Sequence, residues 1–434
     1  MHLFEALRDV RAQYARENPK SAAAHVAASK FLPGGNTRSP LYHSPFPLTF
    51  GRGEGAYLTD LDGHDYTDFL GEFTAGVFGH TDARLLQGLS DTASKGLSLG
   101  GHNIWEPRLA EALCARFPAL QLVRFTNSGT EANLFAIATA RAFTKRNAIM
   151  TFRGGYHGGL LAFANPNNPM NVPHEFVVAK YNDLEGTRFL IEQNKSKLAA
   201  LIIEPMMSSA GCIPADVEFL KMLREISAKH GILLIFDEIV TSRLAPKGVH
   251  AQHGISPDLV TLGKYVGGGL GIGVFGGRAE IMTIFDPRSS VALPHGGTFN
   301  NNVLTMRNGY IAMTEVYGEE AATKLNAKGD ELRGRLRAVV ADTGLPMSVT
   351  GMGAISNVHM VSHEVRSFED LADNNNDLKD LYYFHLLSRG IYAARRGMIN
   401  LSLPMIDVDL NELVEATKEF IVKYRGLDVR TISN

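Results

Sequence analysis

The sequence predicts an α/β fold: a large domain on a mostly parallel sheet covered by helices on both faces, plus a smaller α+β domain made from the two chain ends. Three observations lead there. The chain has 434 residues, about three times the ~150-residue length of one domain. Between about residues 105 and 280, short apolar runs alternate with helical stretches, the pattern of strand–helix–strand crossovers. Outside that stretch the pattern changes, to a polar arm and hairpin before it and to mixed strands and helices after it.

Taken in order, residues 1–30 read as polar helix, and Pro33, Gly34, Gly35, Pro40, Pro45 and Pro47 make residues 31–50 an irregular arm. Residues 57–69 alternate apolar and polar side chains around Asp62-Gly63, a hairpin signal. Strands are expected over 122–125, 148–152, 198–203, 232–236 and 259–262, with helices near 130–145, 185–194 and 216–229. A long helical region over 302–342 follows, then strand, helix, strand and helix over 355–361, 370–387, 398–401 and 410–424. The expected division is therefore an arm and hairpin over 1–75 belonging to the small domain, the large domain over 76–325, and the rest of the small domain over 326–434. In sheets of this kind, ligands gather at the carboxyl ends of the strands.

Composition narrows the function. Hydrophobic residues make up 45% and charged residues 20%, an ordinary globular balance. Because 43 basic side chains nearly cancel 45 acidic ones, there is no basic excess to bind nucleic acid or an anionic membrane. Only Cys114 and Cys212 occur, too few for a disulfide framework, so a cytoplasmic location is expected. No apolar run approaches the ~20 residues that cross a bilayer. The first 19 residues have no hydrophobic centre, so no signal peptide is expected there. Glycine is in surplus at 43 residues, without the period of collagen, and must serve particular turns and close approaches.

Four places could carry chemistry. In Asn127-Ser128-Gly129-Thr130-Glu131, Ser128 and Glu131 have the spacing of a capping box at a helix start. Such a box can be only a cap; the same hydroxyls and free amides at the positive end of a helix also suit a phosphate. Gly154-Gly155-Tyr156-His157-Gly158-Gly159 is either a tight turn with a packed aromatic or a loop that lays Tyr156 on a planar ring. The buried strand over 232–236 runs into Asp237-Glu238, where Asp237 could hold a protonated ring nitrogen, and Ile203-Glu204-Pro205 is arranged alike. Last, Gly263-Lys264-Tyr265 and the glycines at 267, 268, 269, 271 and 273 enclose a lysine just past a buried strand. Lysines are ordinarily solvated, but an amine desolvated here could attack an aldehyde. Competing motifs fall short. Gly271-Ile272-Gly273-Val274-Phe275-Gly276 precedes a strand rather than opening a helix, Gly263-Lys264 lacks the rest of a phosphate-binding P-loop, and no H-E-x-x-H or G-x-S-x-G occurs.

In that order, these four features resemble the class-III aminotransferases among the fold-type I pyridoxal phosphate enzymes, over nearly the whole chain. The resemblance implies a seven-stranded, mostly parallel sheet and pyridoxal 5'-phosphate as cofactor. It implies that Lys264 binds the cofactor aldehyde and shuttles the proton, that Asp237 pairs with the ring nitrogen, and that Tyr156 and Ile239 cover the two ring faces. Ser128, Gly129 and Thr130 would take the phosphate, with His157 and Glu204 also in the cofactor site. Thr298, in His295-Gly296-Gly297-Thr298-Phe299-Asn300, would reach the phosphate from a neighbouring copy, so the resemblance implies a homodimer with its active site at the subunit interface.

Within the class, Pro33-Gly34-Gly35-Asn36-Thr37-Arg38-Ser39 and Tyr392-Ala393-Ala394-Arg395-Arg396-Gly397 look most like the aromatic β-amino acid (β-phenylalanine) aminotransferases. That implies Arg38 and Arg396 as substrate-carboxylate ligands, with adjacent Arg395 leaving the register open. The implied reaction is a ping-pong exchange, through a pyridoxamine phosphate form, between a β-amino acid and an oxo acid such as 2-oxoglutarate or pyruvate. Alternatives are glutamate-1-semialdehyde 2,1-aminomutase, another ω-amino acid aminotransferase, and a noncatalytic binding protein on the same fold. Against the first two stands Thr241-Ser242-Arg243-Leu244, where those enzymes commonly carry Gly-aromatic-Arg after the Asp-Glu pair.

Overall fold

The computed structural model describes residues 2–341 and 343–427. They form two compact units, one of residues 82–326 with 366–370, the other of the remaining residues from both chain ends.

The smaller unit begins with α1 (Leu3–Glu17) and α2 (Pro19–Ala28), followed by β1 (Phe50–Glu54), β2 (Tyr57–Asp60) and β3 (Asp65–Asp68). The β2–β3 hairpin turns at Asp62-Gly63, where Asp60 Oδ1 accepts from the amides of Asp62, Gly63 and His64 at 2.8–2.9 Å.

The larger unit carries α3 (Ala83–Ala93), α4 (Trp105–Arg116), β4 (Leu122–Thr126), α5 (Gly129–Thr144), β5 (Ala148–Phe152), β6 (Phe176–Ala179), α6 (Leu184–Asn194) and β7 (Leu198–Ile203). A small ribbon, β8 (Met206–Met207) with β9 (Ile213–Pro214), precedes α7 (Val217–His230), β10 (Leu233–Asp237), α8 (Val249–Gln252), β11 (Leu259–Gly263), β12 (Gly273–Gly277), α9 (Ala279–Met282) and α10 (Val303–Ile311). Seven strands form one sheet in the order β4-β12-β11-β10-β7-β5-β6. Its pairs from β11 to β6 are parallel, and β12 is antiparallel to both neighbours. Every residue of β5, β7, β10 and β11 is buried, as a sheet covered on both faces requires. The alanines of α5 explain its close seat: Ala132, Ala136 and Ala140 are fully buried in one core with Ile149, Ala200, Ile202, Ile235 and Phe275.

The expected helix over 302–342 is broken. After α10 comes a π-helical turn at Ala312–Val316, and α11 (Glu319–Val340) starts afresh past Tyr317-Gly318 and runs on into the smaller unit. There β13 (Ser348–Met352) and β14 (Ile355–His359) pair, and α12 (Asn376–Ser388), β15 (Ile391–Tyr392), β16 (Met398–Asn400) and α13 (Asp407–Tyr424) follow. α12 starts six residues later than the pattern suggested, because Asn375 caps it by accepting from the Leu378 amide at 2.9 Å. The two chain ends join in one sheet, since β15 adds to β3 in parallel at Ile391 opposite Thr67. Tyr14 of α1 packs on Phe46 and on Phe384 of α12, and its hydroxyl donates to the Phe46 carbonyl at 2.9 Å. Among the described residues, no helix is long and apolar enough to cross a membrane.

Candidate active site

The helix head formed by residues 128–130 is a true cap. Ser128 is extended, with φ −154° and ψ 160°, and its Oγ accepts from the Glu131 amide at 3.2 Å. Glu131 reaches back one residue further than a capping box requires, its Oε2 accepting from the Asn127 amide at 2.9 Å. The amides of Gly129 and Thr130 thus head a 16-residue helix with no partner inside it. Three glycines let other loops close on this point. A Cβ on Gly129 would lie 2.6 Å from Ile239 Cδ1, one on Gly158 2.2 Å from Thr130 Oγ1, and one on Gly273 2.0 Å from the Ser128 carbonyl.

Asp237 ends β10 and is buried, 4% exposed. Its Oδ2 accepts from His157 Nδ1 and from Asn133 Nδ2, each at 2.8 Å, and its Oδ1 accepts from the Ile239 amide at 3.1 Å. Oδ1 also lies 3.5 Å from Thr261 Oγ1, whose hydrogen goes to Asn133 at 2.7 Å, so of the about four hydrogen bonds an ionised carboxylate accepts, one place on Oδ1 is only weakly used. His157 is held from its far side by the Thr151 hydroxyl, 3.3 Å from Nε2. Asn133 also donates to the His157 carbonyl at 2.9 Å and accepts from Thr261 Oγ1 at 2.7 Å. It is a participant that the sequence pattern does not single out. The available signal was a lone amide on the buried face of an Ala-rich helix, one turn past Gly129.

Glu204, past the end of β7, acts on the aromatic loop. Its Oε2 accepts from the Tyr156 amide at 3.1 Å, while Oε1 accepts from the Ser208 amide and hydroxyl at 3.1 and 2.7 Å. Burial pushes its carboxyl above the usual range, against the pull of His157 and with the nearby Asp237 charge adding to the rise. Held by its amide, Tyr156 is 46% exposed.

Lys264 follows β11 directly and is half-buried, with φ +55°, a left-handed conformation costly for a side chain. Its neighbour Tyr265 pins the turn, fully buried edge-on against Tyr317 at 5.5 Å. Ile239 lies beside the same strand end, its Cγ2 3.4 Å from where a Gly263 Cβ would be. The larger unit therefore gathers Ser128, Gly129, Thr130, His157, Asp237 and Ile239 by direct contact, with Tyr156 and Glu204 joined to them through the 154–159 loop. These groups suit a phosphate-bearing cationic ring: free helix-head amides, a buried carboxylate with spare capacity and an amine on a strained residue. Thr298 is not brought to the helix head. It is exposed and lines a separate depression of about 420 Å³ with residues 98–103, while Asn300, two residues on, accepts from Asn127 Nδ2 at 3.0 Å.

The smaller unit holds the two arginines. Arg38 and Arg396 lie over the same ring, their Cζ atoms 5.4 and 4.8 Å from the centroid of Phe73. Phe73 is presented by an unusual turn in which Glu72, Phe73 and Thr74 all have positive φ, at 51°, 49° and 81°. Arg38 also pairs with Glu72. Arg395 is engaged elsewhere, its Nε 2.8 Å from Asp380 and its Nη1 donating to the Tyr42 carbonyl at 3.3 Å.

Comparison with known proteins agrees on one relationship. The family model for aminotransferase class III matches residues 39–406. The chain is 47% identical over 417 residues to the β-phenylalanine transaminase of Variovorax paradoxus, covering 96% of each. The crystal structure of a β-phenylalanine aminotransferase from that organism superposes with a TM-score of 0.96 over 97% of this chain and 98% of that one. A glutamate-1-semialdehyde 2,1-aminomutase of Prosthecochloris aestuarii is 34% identical over 92% of this chain and 96% of its own length.

Proposed function

The chain belongs to the class-III aminotransferases, enzymes that use pyridoxal 5'-phosphate, and within that family we propose that it moves the amino group of an aromatic β-amino acid of the β-phenylalanine kind onto an oxo acid such as 2-oxoglutarate or pyruvate. The observation that carries the substrate reading is the convergence of Arg38 and Arg396 on Phe73. An aromatic surface flanked by two guanidinium groups suits an aryl β-amino acid in one half-reaction and an oxo acid in the other, because guanidinium groups pair with carboxylates two bonds at a time. Arg396 rather than Arg395 is the ligand in this reading, since Arg396 shares the Phe73 ring with Arg38 whereas Arg395 is turned to Asp380 and Tyr42.

When bound, pyridoxal phosphate supplies the electron sink for the carbon that bears the amino group. The amides of Gly129 and Thr130 and the hydroxyls of Ser128 and Thr130 hold the phosphate. Asp237, steadied by His157 and Asn133, keeps the ring nitrogen protonated, because a neighbouring opposite charge favours the charged form. Glu204 fixes the loop from which Tyr156 covers one ring face, and Ile239 covers the other. Lys264 would hold the cofactor through Nζ, and the same amine, once released by the incoming amino group, would move the proton.

The same proposal includes a homodimer in which Thr298 serves the partner's phosphate. Its support is the exposed position of Thr298 beside the exposed apolar side chains of Leu99 and Phe299, which line the same depression. A cytoplasmic location is supported by Cys114 and Cys212, which form no disulfide. The aminomutase reading has weaker support, since it rests on a relative at lower identity, and Arg243 of the departing Thr241-Ser242-Arg243-Leu244 stretch lies in the core at 1% exposure with its carbonyl accepting from Tyr317 and Asn326.

The test is a half-reaction screen followed by the absorbance of the bound cofactor, using β-phenylalanine, a short β-amino acid, an ω-amine and glutamate semialdehyde as donors. β-Phenylalanine is expected to bleach the band. If it leaves the spectrum unchanged while another donor bleaches it, the substrate assignment falls.

A further inference from the structure

The turn that carries the two adjacent arginines is tight. The Gly397 amide donates to the Ala394 carbonyl at 2.8 Å, so Arg395 and Arg396 are its two central residues, and Gly397 has φ +93° with the Val358 carbonyl 2.2 Å from where a Cβ would be. Consecutive residues in such a turn send side chains to different places. Here α12 sorts them. Lys379 Nζ donates to the Arg396 carbonyl at 3.1 Å. Asp380, next in sequence, has a side chain only 10% exposed and divides its carboxylate between two arginines: Oδ2 accepts from Arg11 Nη2 of α1 at 2.7 Å, and Oδ1 lies 2.8 Å from Arg395 Nε. A carboxylate this enclosed is a stronger anchor than a surface ion pair, because water competes less for it. Arg395 is thereby turned toward α1 and Tyr42, while Arg396 lies over Phe73 beside Arg38.

We propose that Asp380 is a specificity-positioning residue: by holding Arg395 against α1, it keeps a further guanidinium away from the substrate carboxylate and so sets the preference between mono- and dicarboxylic oxo acids. The inference rests on the reading of Arg38 and Arg396 as carboxylate ligands. With Asp380 neutral, Arg395 regains a free guanidinium one residue from Arg396, and the added positive charge favours a dicarboxylate.

The experiment compares steady-state kinetics with pyruvate and with 2-oxoglutarate, using one amino donor, together with calorimetric binding of maleate as a nonreacting dicarboxylate. Asp380→Asn is expected to raise the ratio of kcat/KM for 2-oxoglutarate over pyruvate at least fivefold, through KM rather than kcat, and to tighten maleate binding by a similar factor. Arg395→Gln is expected to leave both within twofold of the parent, and Asp380→Asn/Arg395→Gln to return both to the parent's values. A shift that persists in the double variant, or no shift in Asp380→Asn, overturns the proposal. If Asp380→Asn does not fold, Arg395→Gln decides, because Asp380 keeps Arg11 there: unchanged kinetics uphold the sorting role, and a tenfold rise in KM for both acceptors overturns it. Arg396→Gln separates the two claims, since an unchanged KM in that variant removes the carboxylate-ligand reading on which the proposal stands.

Discussion

Lys264 and Asp237 reach the site by different means, and their variants should differ accordingly. In the proposed reaction Lys264 supplies the reacting amine, so Lys264→Ala is expected to abolish turnover. Asp237→Asn keeps the shape and most hydrogen bonds but removes the charge, and should lower kcat on the order of a hundredfold, the equivalent of about two pKa units of lost charge stabilisation. Thermal unfolding followed by circular dichroism should show both variants folded. A kcat within threefold of the parent in Asp237→Asn would remove its role at the ring nitrogen. Both residues were legible in the sequence because each terminates an apolar run, and position at a strand end is local information. Asn133 was not, since its importance lies in contacts with Asp237, His157 and Thr261, up to 128 residues away in sequence.

At the scale of elements, fully buried strands such as β5, β7 and β10 announced themselves as mostly apolar runs, whereas β6 did not. β6 is a four-residue edge strand, three of whose residues are only partly buried, so its pattern is weak. The packing of α1 on α12 carries a pH dependence. His43 lies edge-on to Tyr14, Tyr383 and Phe384, and burial lowers its pKa from 6.5 to about 4. At pH 7 the ring is neutral in both states. As the pH falls below 6.5, the unfolded chain takes up a proton that the folded chain refuses until about pH 4, so stability is lost through that window. The loss amounts to about 3 kcal/mol in all. Denaturation midpoints measured from pH 7 to 4.5 should fall accordingly, and His43→Gln should flatten the slope; an equally steep slope in that variant would assign the effect to other groups.

For the whole molecule, the proposed dimer makes a prediction that no single chain can satisfy. Thr298→Ala should weaken cofactor binding about tenfold, the value of one hydrogen bond to a charged group. Mixing Lys264→Ala chains with Thr298→Ala chains should rebuild one intact site in each mixed dimer, with the parent's affinity and half the parent dimer's activity. If the mixture shows no rebuilt site, Thr298 does not act across copies. What the sequence by itself determined is the alternation of strands and helices and the seats of the proposed cofactor residues in it, because strand ends, helix caps and glycine turns are set by neighbours a few positions away. Only the tertiary structure decided which of two adjacent arginines shares Phe73 with Arg38 and which is held by Asp380. Side-chain direction in a tight turn depends on partners brought from distant segments, here α1, α12 and the 71–74 turn, and no local pattern encodes it.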